Sequence, residues 1–222
     1  MMKKAFAISA ALVAALATPG AANAATTVTM GTNASWTITD SSNNVLDTFT
    51  PTNSQIPGTW SSSDANSQWI SPELGRGLSF AQGGGTSPAG LYSFTGVFEL
   101  SNVGNIQTNT VTWWADNILR TLVINGQTIF SNRPGSALSQ EFVNGGITET
   151  FTTPVWKNGT NKVTFIVENG AGASGNPTGL RALMVSTSIP EPGTWMLMIL
   201  GLGAIGFAMR RRQNPSVRFH FA

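Results

Sequence analysis

The sequence predicts an all-β fold, an antiparallel β-sandwich flanked by an N-terminal signal peptide and a short C-terminal transmembrane helix. Three observations carry this prediction. Short alternating segments rich in β-branched and aromatic residues recur between Gly, Asn, Ser and Pro breaks. Only 10% of the 222 residues are charged while 24 are glycine, so helix-favouring Lys, Glu and Arg are too scarce for a bundle. Nowhere between residues 25 and 189 does an amphipathic helical period persist over several turns.

The first element, residues 1–24, reads as a secretory signal peptide. Lys3 and Lys4 supply the basic region, Ala5 to Ala17 the apolar run, and Pro19-Gly20 the helix break. Ala22-Asn23-Ala24 is a small-x-small cleavage site, with Ala25 as the mature N-terminus. The alternative is a short N-terminal membrane anchor. The absence of cysteine does not conflict with export, which permits disulfides without requiring them.

Residues 25–189 form the β-sandwich domain. Strands are expected at Thr27–Met30, Ser35–Thr39, Leu91–Leu100, Thr110–Ala115, Thr121–Ile124, Thr128–Phe130, Glu149–Thr152, Lys162–Glu168 and Leu180–Thr187. Asn125-Gly126 between two apolar runs is a strong hairpin signal. Ser41 to Asp64 and Gly83 to Gly90 read as loops.

Pro190-Glu191-Pro192 opens the C-terminal element at residues 190–212. Trp195 and an uncharged stretch to Met209 follow, then Arg210-Arg211-Arg212 and the tail 213–222. About fifteen residues at 1.5 Å rise span only ~22 Å, short of the ~30 Å hydrocarbon core. The arginines hold the end on the cytoplasmic side, and snorkelling offsets part of the mismatch. A marginal span suits a transient stop-transfer signal; an ordinary single-span anchor is the alternative. Together Pro190, Glu191, Pro192, Trp195, the apolar stretch and the Arg cluster resemble a PEP-CTERM sorting signal. The resemblance implies recognition by an exosortase in the inner membrane and cleavage near the motif. It further implies delivery to the surface or exopolysaccharide matrix of a Gram-negative bacterium. The tail Gln213 to Ala222 extends beyond the usual pattern.

The second half of the sandwich carries another resemblance. Trp113-Trp114-Ala115-Asp116-Asn117, Asn125-Gly126, Asn158-Gly159-Thr160-Asn161, Asn169-Gly170 and Pro177-Thr178-Gly179-Leu180-Arg181-Ala182 follow one another in an order similar to galactose-binding-domain-like jelly rolls. That implies a jelly roll of eight or nine strands. Many such domains bind carbohydrate, and others only make protein contacts.

The candidate ligand residues are Trp113, Trp114, Asp116, Asn117 and Asn169. Trp113 and Trp114 are adjacent on a strand and face opposite sides. One is therefore expected in the core, leaving the other to be exposed, where it either stacks on a sugar ring or packs. Asp116 and Asn117 either cap a strand end through side-chain-to-backbone bonds or offer oxygens to calcium or a sugar. Asn169 and the loop to Pro177 resemble a rim beside them.

Several chemistries are excluded or unsupported. The single histidine, His220, lies near the C-terminal end, so no His-based acid–base or nucleophile–base pair fits the domain. Gly201-x-Gly203-x-x-Gly206 matches a dinucleotide-loop pattern, but it lies in the apolar stretch and no acidic residue follows it. The nine acids of residues 25–189 are scattered and form no paired-carboxylate motif. They face six basic residues, a net of −3 behind the overall +2, which removes the electrostatic case for nucleic acid. No cofactor and no catalytic residue are expected, calcium being the one ion considered. Three readings follow: a non-catalytic surface or matrix protein, a carbohydrate-binding module, and, last, a glycoside-active enzyme.

Overall fold

The computed structural model describes residues 27–72, 87–101, 103, 106–135, 140–143, 145–171, 176–188 and 192–211. The expected signal peptide, Pro190, Glu191, Arg212 and the tail lie outside these residues. Twelve strands and one helix are formed in them. The strands are β1 (Thr27–Gly31), β2 (Thr37–Thr39), β3 (Val45–Leu46), β4 (Thr48–Phe49), β5 (Ser71–Pro72), β6 (Gly90–Leu100), β7 (Ile106–Asp116), β8 (Ile118–Ile124), β9 (Gln127–Phe130), β10 (Ile147–Phe151), β11 (Gly159–Asn169) and β12 (Gly179–Ser188). The helix is α1 (Pro192–Arg211). All strands lie in one compact unit, Ala25–Ile189, and α1 lies outside it.

The strands form a four-stranded sheet, β1-β12-β7-β10, and a six-stranded sheet, β3-β2-β6-β11-β8-β9, with β4-β5 a separate pair. The two large sheets are antiparallel throughout. Setting aside the short β2 to β5, eight strands remain. The first, last, third and sixth make one sheet, and the second, seventh, fourth and fifth the other. That order is a jelly roll, two interlocked Greek keys. Period-two alternation explains the packing: Val111, Trp113 and Ala115 of β7 and Leu180, Ala182 and Met184 of β12 point inward. They meet Phe94, Leu122, Ile124, Val163, Phe165 and Val167 of the other sheet. The Asn125-Gly126 turn takes positive φ at both residues (51° and 82°), as a type I′ hairpin between β8 and β9 requires.

A second, smaller core lies outside the sandwich. Segment 51–70 crosses the outer face of the four-stranded sheet and buries Ile56, Trp60 and Trp69 against Trp114 and Phe142. Gly31 marks the crossing. A Cβ there would fall 1.8 Å from the Asn66 carbonyl oxygen, so only glycine fits. Loops seldom bury large aromatics; this one does because it acts as a lid of sequence on the sheet.

Beyond Gly31, the outer face of this sheet is rich in threonine and, among the described residues, exposed or half-buried. Cross-strand register places Thr27 beside Thr187 and Thr108. The next row is Thr29, Val185, Thr110 and Thr150, and the next Gly31, Leu183, Thr112 and Thr148. All eight threonines are exposed or half-buried.

Helix α1 begins at Pro192, where a missing N–H costs nothing. Met198, Ile199, Leu200, Leu202, Ile205, Phe207 and Met209 are all exposed on it. Among the described residues no helix is long and apolar enough to cross a membrane. The expected C-terminal helix is present as α1, and its uncharged run has a reach of only ~22 Å.

Candidate functional site

The sequence-nominated residues converge at one end of the sandwich, where β7 ends, β8 begins, β11 ends and β12 begins. Asp116 and Asn117, joined by a cis peptide bond, form the β7–β8 corner. Asn117 is buried. Its Oδ1 accepts the Gly170 N–H at 2.8 Å, and its N–H donates to the Glu168 carbonyl at 3.3 Å. Asn169 Nδ2 donates to the carbonyls of Ser87 (2.8 Å) and Pro88 (3.2 Å), and its Oδ1 accepts from Asn176 Nδ2 at 3.1 Å. Asn117 and Asn169 therefore spend their amides tying the loops before β6 and before β12 to this corner.

Asp116 is different. On the outward side of β7 it faces the aromatic cluster under segment 51–70. Its Oδ2 accepts the Trp60 Nε1–H at 2.9 Å, and its carbonyl accepts Thr178 Oγ1–H at 2.6 Å. Oδ1 is buried and has no hydrogen-bond partner among the described residues. Burial pushes the carboxyl up to about 7, and the Trp60 bond only partly opposes this.

Both tryptophans are buried, Trp113 at 0% and Trp114 at 8% exposure. They do face opposite sides, as β-alternation demands, but neither gives the exposed stacking face expected of one of them. Trp113 enters the main core, its Nε1–H donating to Glu141 Oε2 at 2.9 Å. Trp114 is covered by the guanidinium of Arg181, whose Cζ stands 4.0 Å from the ring centroid. Arg181 in turn donates to Ser67 Oγ (3.0 Å), to the Ser62 carbonyl and to Asp64. The physical reason for the correction is the lid of segment 51–70, which the loop composition of 41–64 concealed. Trp60 and Trp69 were the available signal, since large aromatics are rarely placed in a loop without something to pack on.

Two other acids meet this corner through their backbones. Glu141 N–H donates to the Asn117 carbonyl at 3.3 Å, and the Glu168 carbonyl accepts from Asn117. Their carboxylates are occupied. Glu141 holds Arg133 at 2.9 Å as well as the Leu119 N–H, and Glu168 holds Arg120 at 2.5 Å. Arg133 also lies over the Trp113 ring at 4.6 Å and reaches Glu149 at 3.3 Å. None of these arginines and glutamates was nominated by the sequence. Among the described residues no group of three or more Asp, Glu or His stands together as a metal site. Asn125 and Asn161 likewise serve the fold, Asn125 Nδ2 donating to Asn161 Oδ1 at 2.7 Å.

A jelly roll with an apolar helix following its last strand is the class these features define. The PEP-CTERM protein-sorting motif family matches residues 188–212, so the chain carries that sorting motif after β12. Nothing among the curated proteins matches the chain. Among solved structures it is similar to an exo-beta-1,3-galactanase from Phanerochaete chrysosporium with beta-1,3-galactotriose, at 15% identity over 70% of this chain and 28% of that one, TM-score 0.35. It is also similar to an FMN-binding beta-glucuronidase from Facaelibacterium prausnitzii L2-6, at 13% identity over 72% and 23%, TM-score 0.39. A structure described as "CBM4 structure and function" matches at 17% identity over 68% and 92%, TM-score 0.30. The chain spans under a third of the length of either enzyme.

Proposed function

We propose that the protein is a non-catalytic component of the cell surface or exopolysaccharide matrix, handed to an exosortase at the inner membrane by its C-terminal signal. The PEP-CTERM motif at residues 188–212, which marks an exported and sorted protein, carries this reading. The chemistry of the candidate site agrees with it. The amides of Asn117 and Asn169 close loops, and the carboxylates of Glu141 and Glu168 neutralise arginines. Helix α1 serves as the transient membrane hold during sorting.

The test is the intact mass of the protein recovered from its native cell surface or medium. A chain starting at Ala25 and ending near Pro190 supports the reading. Full-length protein in the cytoplasm, or a surface form that keeps Arg210 to Arg212, overturns it.

The second reading is a carbohydrate-binding module. Trp113 and Trp114 are buried, so neither offers it a stacking platform at the sandwich end. What favours it is the hydroxyl-bearing outer face of the four-stranded sheet.

A further inference from the structure

We infer that the threonine face of the β1-β12-β7-β10 sheet is a binding surface for a single extended chain of neutral polysaccharide. This rests on the carbohydrate-binding reading and gives it a location away from the loop end where the motifs drew attention.

The face is built by register. Alternation turns Thr27 and Thr29 of β1, Thr187 of β12, Thr108, Thr110 and Thr112 of β7, and Thr148 and Thr150 of β10 to the same side. Strand geometry sets them on a grid of ~4.8 Å across strands and ~6.8 Å along them. Every threonine offers a hydroxyl, both donor and acceptor, beside a methyl. That pairing suits a pyranose ring, with hydroxyls at its rim and C–H groups on its face. Hydroxyls are already held in place across the β7–β10 pair, Thr112 to Thr148 at 2.8 Å and Thr110 to Thr150 at 3.3 Å. Ordering them on binding therefore costs less entropy.

Charge and size select the occupant. The three registered rows contain no Asp, Glu, Lys or Arg, so nothing on them attracts an acidic or basic polymer. The outer side of the six-stranded sheet differs, with Glu99 paired to Thr160 and Lys162 opposite Val97. The ten sites left after Gly31, which lies under Asn66, and the missing β10 partner of Thr108 are set aside cover roughly 330 Å², under half of what each partner gives a stable protein interface. They have no aromatic anchor of the kind that dominates protein docking. Neighbouring strands rotate by ~20–25°, so the rows do not stay coplanar over four strands. A rigid crystalline surface would touch only part of such a face, whereas a single flexible chain can follow it.

The test is affinity electrophoresis of the full-length chain in neutral detergent, through gels containing laminarin or hydroxyethylcellulose (both neutral) or alginate (anionic). The variants are Thr110→Val, Thr112→Val, Thr148→Val and Thr150→Val combined, which keep shape and β-propensity but remove four hydroxyls. The matching four Thr→Ser changes form the second set. The wild type and the Ser set are expected to be retarded by at least one neutral polymer and not by alginate. The Val set should lose at least about tenfold in affinity, the equivalent of one net hydrogen bond, with an unchanged melting temperature. Retardation that the Val set retains overturns the face assignment while leaving carbohydrate binding elsewhere on the protein. No retardation of the wild type by either neutral polymer overturns the inference and the carbohydrate-binding reading together, without touching the sorting reading, which intact mass tests. Dimerisation of the wild type that the Val set loses, or preferential retardation by alginate, overturns the choice of occupant.

Discussion

Trp60 Nε1 donates to Asp116 Oδ2 at 2.9 Å across 56 residues of sequence, and this bond joins segment 51–70 to the sheet it covers. Asp116 Oδ1, by contrast, is buried and has no hydrogen-bond partner among the described residues. In the unfolded chain this carboxyl ionises near 3.8, in the folded chain near 7, so the folded state holds the proton more tightly. The contribution to stability is complete below pH 4 and is lost as pH rises through about 7. It amounts to about 4 kcal/mol at most. Asp116→Asn retains an acceptor for Trp60 and removes the titration. Its melting temperature should change less between pH 4 and 8 than that of the wild type, and exceed it at pH 8. Equal pH profiles would show that the carboxyl is ionised in the fold.

Arg181 binds the same segment from the other side. Its guanidinium lies on Trp114 and donates to Ser67, Ser62 and Asp64. Arg181→Ala should cost about 3 kcal/mol, combining the lost cation–π contact with charged hydrogen bonds. Limited proteolysis should then cut within residues 61–67 before any cut in the sandwich. Denaturant unfolding measures the first effect, and mapping of the early fragments the second.

Glycines under the aromatic cluster grade in their tolerance. At Gly146 (φ +74°) a Cβ would lie 2.6 Å from the Trp114 ring, and at Gly179 it would lie 2.6 Å from the Trp60 ring. Either changed to Ala should lose about 2 kcal/mol or more through overpacking. At Gly58 nothing lies within 4 Å, and Gly58→Ala should be close to neutral. Thermal unfolding of the three variants gives the order directly.

Sorting should depend on the motif and leave the sandwich unaffected. Glu191→Ala, or Arg210, Arg211 and Arg212 changed together to Ala, should leave the chain unprocessed at its C-terminal end. The mass recovered from the membrane fraction would then include residues up to 222. The melting temperature of the β domain should stay where it was, because Ala25–Ile189 is a compact unit of its own.

Local signals identified the strands well and the surface poorly. Every expected strand has a counterpart, because alternation and turn chemistry act within a few residues, as the Asn125-Gly126 turn illustrates. The sorting motif was legible for the same reason, being a contiguous run. The exposure of Trp114 was not, since it depends on Trp60, Trp69 and Arg181, which lie far away in sequence. The threonine face was hidden differently. Thr-x-Thr in β1, β7 and β10 is visible in the sequence, but only register brings those strands onto one face. The pairing of Glu141 with Arg133 had no sequence signature, because both residues lie outside the strands, between β9 and β10, where no periodicity places them.

The position of β12 has a mechanical consequence. The strand that leads toward the sorting motif is an interior one, flanked by β1 through five paired residues and by β7 through ten. Tension applied at Ser188 acts along β12, at right angles to the hydrogen bonds of both ladders. The bonds are then loaded in shear and share the force, whereas a strand peeled from an edge gives way bond by bond. A pull on the chain beyond Ser188 is therefore resisted by both ladders of β12 at once, to β1 and to β7.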